Sequence, residues 1–99
     1  MAEQVLLQVR TLRDACILLL DHLEELEGPE VRLDRDFFWS IPSSQLYNVY
    51  EAPADLTVGQ LSESVSNLQN MLTDRTRVTS YGLVWLADIL RAAGDAVVR

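Results

Sequence analysis

The sequence predicts an all-α fold, a three-helix bundle with a long aromatic-rich crossover arm between helices 1 and 2. Three segments place apolar residues at alternating steps of three and four, which is the spacing of one helix face. Between the first two segments lies a stretch that lacks this spacing and holds all three prolines of the chain. We expect residues 1–99 to form one helical domain, as is usual for a chain of this length.

Helix 1 is predicted at about residues 2–27 and has the clearest pattern. An apolar seam runs along it at the heptad period, which is typical of helices packed lengthwise on other helices. The seam consists of Val5, Val9, Leu12, Cys16, Leu19, Leu23 and Leu26. Gly28-Pro29 is predicted to end the helix, because glycine accepts the left-handed cap and proline cannot continue the hydrogen-bond ladder.

The arm, residues 28–56, contains five of the seven aromatic residues. Alternating apolar residues between Val31 and Ile41 leave a short strand open as an interpretation. The triplet 42–44 leaves open a single helical turn through Tyr47. Because so much aromatic surface gains from burial, we expect an ordered arm with at most short elements.

Helix 2 is predicted at about residues 58–74 and helix 3 at about 78–97. Thr57 and Gln60 fit a capping box, which places the start of helix 2 next to Thr57. Gly82 costs helix 3 about 1 kcal/mol relative to alanine. A plausible compensation is that another element approaches closely at this glycine.

Two levels of the helices are apolar on every side, Cys16–Leu20 and Leu83–Ala87. One packing face does not explain five consecutive apolar residues in a helix. Either the aromatic arm or a second chain is expected to cover the outer faces of Leu18, Val84 and Trp85. We favour a homodimer, since a large exposed apolar patch is unusual on a monomer.

The net charge of −7 narrows the classes of partner. Nucleic acid and anionic membranes are not expected as partners, because phosphate groups are repelled by an acidic chain without a basic stripe. No apolar run is long enough to span a bilayer, and the start of the chain lacks a basic signal, so a cytoplasmic location is expected. All eight basic residues are arginine, which fits a GC-rich bacterial genome or chance in a short chain.

The sequence contains few residue patterns that are typical of catalytic or metal-binding sites. Asp21, His22, Glu24 and Glu25 form the one cluster that resembles a site, but there is no second histidine. A carboxylate-bridged metal centre draws its ligands from several helices, and helices 2 and 3 offer few acids. The chain has no glycine-rich phosphate loop and no nucleophile elbow. We therefore expect no metal, no cofactor and no enzymatic activity.

The function that the sequence favours is a small acidic protein-interaction module, such as an accessory subunit, an adaptor or an immunity-type protein. Tryptophan and tyrosine are the residues most used as binding anchors, and here they lie on a connection between helices. The predicted partner-binding residues are Phe37, Phe38, Trp39, Tyr47, Tyr50, Leu18, Val84 and Trp85. Two alternatives stay open: a self-assembling structural homo-oligomer, and a small metal- or ligand-binding enzyme. Roofing of the core by the aromatic residues also stays open.

Overall fold

A computed structural model of the chain describes residues 4–98 and contains four α-helices and a two-stranded antiparallel sheet within that range. The predicted all-α three-helix bundle with a crossover arm is therefore wrong, although the fold is 58% helical. In chain order the elements are α1 (Val9–Glu27), β1 (Phe37–Ser40), α2 (Ser43–Leu46), β2 (Thr57–Gln60), α3 (Leu61–Thr73), a 3-10 turn (Arg75–Arg77) and α4 (Gly82–Val97). The chain divides into two compact units, Met1–Arg32 and Leu33–Arg99.

The first unit contains α1 and its flanking residues. The helix begins at Val9, later than the predicted start at about residue 2. Residues 2 and 3 of the predicted helix lie outside the described range. It ends where predicted, at Gly28, which has a φ of 80° and donates its N–H to the carbonyl oxygen of Glu24 at 2.8 Å. The positive φ explains the glycine, because other residues rarely adopt this backbone conformation.

The sheet of the second unit forms from parts of the predicted arm and of predicted helix 2. The two strands pair antiparallel, with Phe37 opposite Gln60 and Ser40 opposite Thr57. Phe38 lies against Gly59, and a Cβ at position 59 would collide with the Phe38 ring. Aromatic and β-branched residues suit paired strands better than helix ends. Residues 58–60, which were predicted to start helix 2, therefore pair with β1 as a strand.

Helix α3 consequently begins at Leu61 rather than beside Thr57, and its cap comes from elsewhere in the chain. Gln60, the N-cap residue, makes no side-chain cap hydrogen bond. Instead, the backbone N–H of Ser62 donates to Oδ1 of Asp36 at 2.7 Å, and that of Leu61 donates to the Asp36 carbonyl oxygen at 2.7 Å. The capping box predicted at Thr57 is wrong because a residue outside the local sequence supplies the acceptor.

The core of the second unit lies where α3 meets α4. Among the described residues, only Leu61, Ser64 and Gly82 are buried. A Cβ at Gly82 would lie 2.9 Å from Cε of Met71 on α3. The close approach expected at Gly82 is thus confirmed. On the first turn of α4, the rings of Tyr81 and Trp85 pack edge to face with centroids 5.5 Å apart.

Candidate protein-interaction surfaces

The outward face of the β1–β2 ribbon is apolar. Successive strand residues point to opposite faces, so Phe37 and Trp39 share one face and Phe38 takes the other. Val58 lies directly opposite Trp39 in the register and extends the same face. Phe37, Trp39 and Val58 remain 65%, 72% and 62% exposed. We call these three residues the outer ribbon face.

The connection between the strands, residues 41–56, exposes two more of the predicted residues. Tyr47 and Tyr50 are 82% and 94% exposed. Gln45 on α2 fixes this connection: its Oε1 accepts the backbone N–H groups of Ala54 and Asp55 at 2.8 and 3.0 Å. Its Nε2 donates to the Asp55 carboxylate at 2.7 Å. The exposed tyrosines are therefore carried on a loop that is closed by hydrogen bonds, and they do not roof a core.

The other face of the ribbon borders a groove of about 210 Å³ between the sheet, α3 and α4. Three predicted residues meet there, namely Phe38, Val84 and Trp85. The helical steps from Tyr81 through Val84 and Trp85 to Asp88 put one face of α4 on the groove, and Glu63 and Asn67 come from α3. Phe38 and Trp85 are half-buried, whereas Val84 is 44% exposed.

The groove carries negative charge and no positive charge. Its charged lining residues are Glu63 and Asp88. The ion pairs found within residues 4–98 are Asp74–Arg77 and Arg91–Asp95, so neither groove carboxylate belongs to one of them. Burial raises the pKa of the Asp88 carboxyl above its ordinary value, since removal from water disfavours the charged form. An arriving cation would relieve this cost, and the aromatic walls would add cation–π attraction.

A second, more open depression of about 410 Å³ lies beside Asp36, Leu61 and Ser62. It contains both Arg35 and Asp34, so its charge selects no class of ligand. We therefore treat the groove and the outer ribbon face as the better candidates in the second unit.

Leu18, the remaining predicted residue, lies on α1 and is 70% exposed. None of the 19 residues of α1, all of which are described, is buried. Along the predicted seam, Leu12 and Leu19 are 43% and 64% exposed, while Cys16 and Leu23 are half-buried. The apolar seam of α1 is thus a third candidate surface.

Sequence reasoning missed the polar residues that organise these surfaces. Asp36 and Gln45 act on partners far along the chain, so no local spacing indicates them. Glu63 and Asp88 come together only through the packing of α3 on α4. A signal did exist for Asp88, which stands seven residues after Tyr81 and shares its helix face.

Chemistry-bearing clusters are sparse in the part of the chain that the structure describes. Within residues 4–98, no group of three or more His, Cys, Asp and Glu side chains is arranged to hold a metal ion. In the same range, no helix is both long and apolar enough to cross a membrane. His22 and its acidic neighbours all lie on α1, and none of them is buried.

Comparison with protein families, with curated proteins and with solved structures finds no match for this chain.

Proposed function

We propose that this chain is a small acidic, non-enzymatic protein-interaction module. The observation that carries the proposal is the exposure of four of its five arm aromatics on a ribbon and loop that hydrogen bonds hold in place. Trp39, Tyr47 and Tyr50 are each more than 70% exposed. Tryptophan and tyrosine anchors dominate binding energy at protein interfaces, and a preorganised surface loses less entropy on binding.

The acidic groove supports a basic protein as the partner. A protein that packs on this unit would place a basic side chain between Glu63 and Asp88, where the phenyl and indole rings form the walls. Arginine suits such a site, because its planar guanidinium group both pairs with carboxylates and stacks on aromatic rings. The net charge of −7 would also speed the approach of a basic partner.

The test is affinity capture from the source organism with matched variants. We expect Trp39→Ala/Tyr50→Ala to lose the partner, because truncation of anchor residues typically weakens binding by more than about tenfold. Leu72→Ala is the control, since Leu72 is 82% exposed but lies on α3 away from the ribbon strands. A protein that binds all three forms equally, or binding that only Leu72→Ala abolishes, would contradict the proposal.

The groove is tested in the same capture with Glu63→Gln/Asp88→Asn. This variant keeps the size of both side chains and removes two negative charges, so a basic partner should bind less tightly and with weaker dependence on salt. Glu24→Gln/Glu25→Gln removes the same charge from α1, and neither residue belongs to the groove lining. Equal weakening by both double variants would mean that net charge, and not the groove, selects the partner.

A further inference from the structure

We infer that α1 forms an antiparallel two-stranded coiled coil with the α1 of a second copy of this chain. The inference concerns the first unit and does not rest on the proposed function of the second unit. It starts from the α1 seam, whose apolar residues repeat at the heptad period. A strict heptad repeat fits a partner helix of the same period, because both helices must supercoil together.

The heptad positions are unambiguous. Val9, Cys16 and Leu23 take position a, and Leu12, Leu19 and Leu26 take position d. Leucine at each d position of the helix is typical of two-stranded coiled coils. Of these six residues, the four that are not half-buried in the single chain are between 43% and 64% exposed, so they are accessible to a partner helix.

Helix α1 lacks the local features that stabilise a helix without a packing partner. It has no side-chain N-cap bond, no acidic residue in its first turn and no basic residue in its last turn. Its charges are reversed relative to the helix dipole, with Arg10 and Arg13 near the N-terminus and Glu24, Glu25 and Glu27 near the C-terminus. Most helical stability in proteins comes from packing of an apolar face, so α1 needs a partner for its seam.

The same charge asymmetry decides the direction of the pair. A parallel pair would bring together the two acidic ends, each containing Glu24, Glu25 and Glu27. An antiparallel pair instead lays the arginines of one helix beside the glutamates of the other. In the register that places Cys16 opposite Leu19, Arg10 of one helix lies level with Glu25 of the other.

The length of α1 fixes which residues of the two copies face one another. When the two helices overlap from Val9 to Leu26, the antiparallel pair places Cys16 opposite Leu19 and Leu12 opposite Leu23, with the axis between the first two.

Two neighbouring leucines provide a matched test in the full-length chain. Leu19 at position d and Leu18 at position c are 64% and 70% exposed, yet only Leu19 lies on the seam. Sedimentation equilibrium at micromolar concentration should give twice 11.2 kDa for the wild type and for Leu18→Glu. Leu19→Glu should give 11.2 kDa. A monomeric wild type, or dissociation by Leu18→Glu as well as Leu19→Glu, would overturn the coiled coil.

The direction is tested by cysteine placement in a Cys16→Ser background. Leu12→Cys alone should not form a crosslinked dimer on oxidation, because the two copies of residue 12 stand about 16 Å apart along an antiparallel pair, beyond the roughly 7 Å that a disulfide spans. Mixed with Leu23→Cys, it should crosslink. Crosslinking of Leu12→Cys with itself would overturn the antiparallel direction. Loss of the partner protein sought above, with the dimer intact, would leave this inference standing.

Discussion

Asp36 joins three parts of the second unit through one carboxylate. It accepts hydrogen bonds from the Gln60 side chain at 2.8 Å, from the Ser62 N–H at 2.7 Å and from the Ser62 hydroxyl at 3.0 Å. These bonds hold the pKa of Asp36 below its ordinary value of 3.8. The bond from the Gln60 side chain lowers the pKa most. One side chain therefore caps α3 and fastens the start of β1 to it.

Asp36→Asn should lower the Tm measurably, because an amide nitrogen cannot accept the bonds that one carboxylate oxygen receives. Thr57→Ala should change the Tm less, since the Thr57 hydroxyl makes only an exposed 3.3 Å bond to the Ser40 carbonyl oxygen. Thermal unfolding followed by circular dichroism compares the two. A larger decrease in Tm for Thr57→Ala than for Asp36→Asn would indicate that the helix begins beside Thr57, as the capping box predicts.

The pH dependence of the same pair of proteins has a defined sign. The folded pKa of Asp36 is lower than the unfolded value, so its contribution to stability is present above about pH 3.8 and is lost as the pH falls through the folded pKa. The wild type should therefore lose stability in acid more steeply than Asp36→Asn. Parallel acid profiles for the two proteins would show that the charged form of Asp36 contributes nothing.

The elements divide sharply into those that local pattern predicts and those that it does not. The end of α1 at Gly28 and the close packing at Gly82 follow from neighbours in sequence, and both were predicted. The ribbon pairs residues about 20 positions apart, and nothing local specifies that Phe38 meets Gly59. Strand pairing and the capping of α3 by Asp36 depend on such distant contacts, so the local pattern wrongly placed residues 58–60 in a helix capped by Thr57.

The candidate surfaces were predictable only in part for the same reason. Composition indicated that the arm aromatics matter. Which of Phe37 and Phe38 points outward, however, depends on the register of the ribbon, and a shift of one residue would exchange them. The acidic groove forms only when α3 packs on α4, and the sequence does not determine the register of that packing.

At the level of α2 and its loop, Gln45 should determine the order of residues 46–56. Gln45→Ala removes three hydrogen bonds that close the loop, so chymotrypsin should cleave after Tyr47 or Tyr50 faster than in the wild type. Gln69→Ala is the control, because Gln69 is exposed on α3. Equal cleavage of the two variants would mean that Gln45 does not hold the loop.

The whole molecule combines a strongly acidic surface with little buried core. Leu61 is the one buried hydrophobic residue among those described, so few apolar contacts within one chain offset the entropy of folding. Association through α1 would bury apolar surface on a helix that has no buried residue in the single chain. Stability should then rise with protein concentration, as mass action requires for a protein that folds and assembles together.

The net charge of −7 leads to a prediction for the whole molecule. The chain should not bind DNA or RNA, because phosphate backbones attract basic rather than acidic surfaces. Filter binding at near-physiological salt, with a basic protein as the positive control, measures this. Retention of nucleic acid that decreases as salt increases would contradict the prediction.

The pairing of Ser40 with Thr57 closes the loop 41–56 at its base, so the loop sequence can be replaced without a change in the two strands. Once the base is fixed, doubling the length of a flexible loop costs only about 0.6 kcal/mol. Insertions and substitutions around Tyr47 and Tyr50 therefore leave α3 and its Asp36 cap intact. If the loop binds a partner as proposed, a library of loop sequences grafted between residues 41 and 56 would yield new binding specificities on the same ribbon.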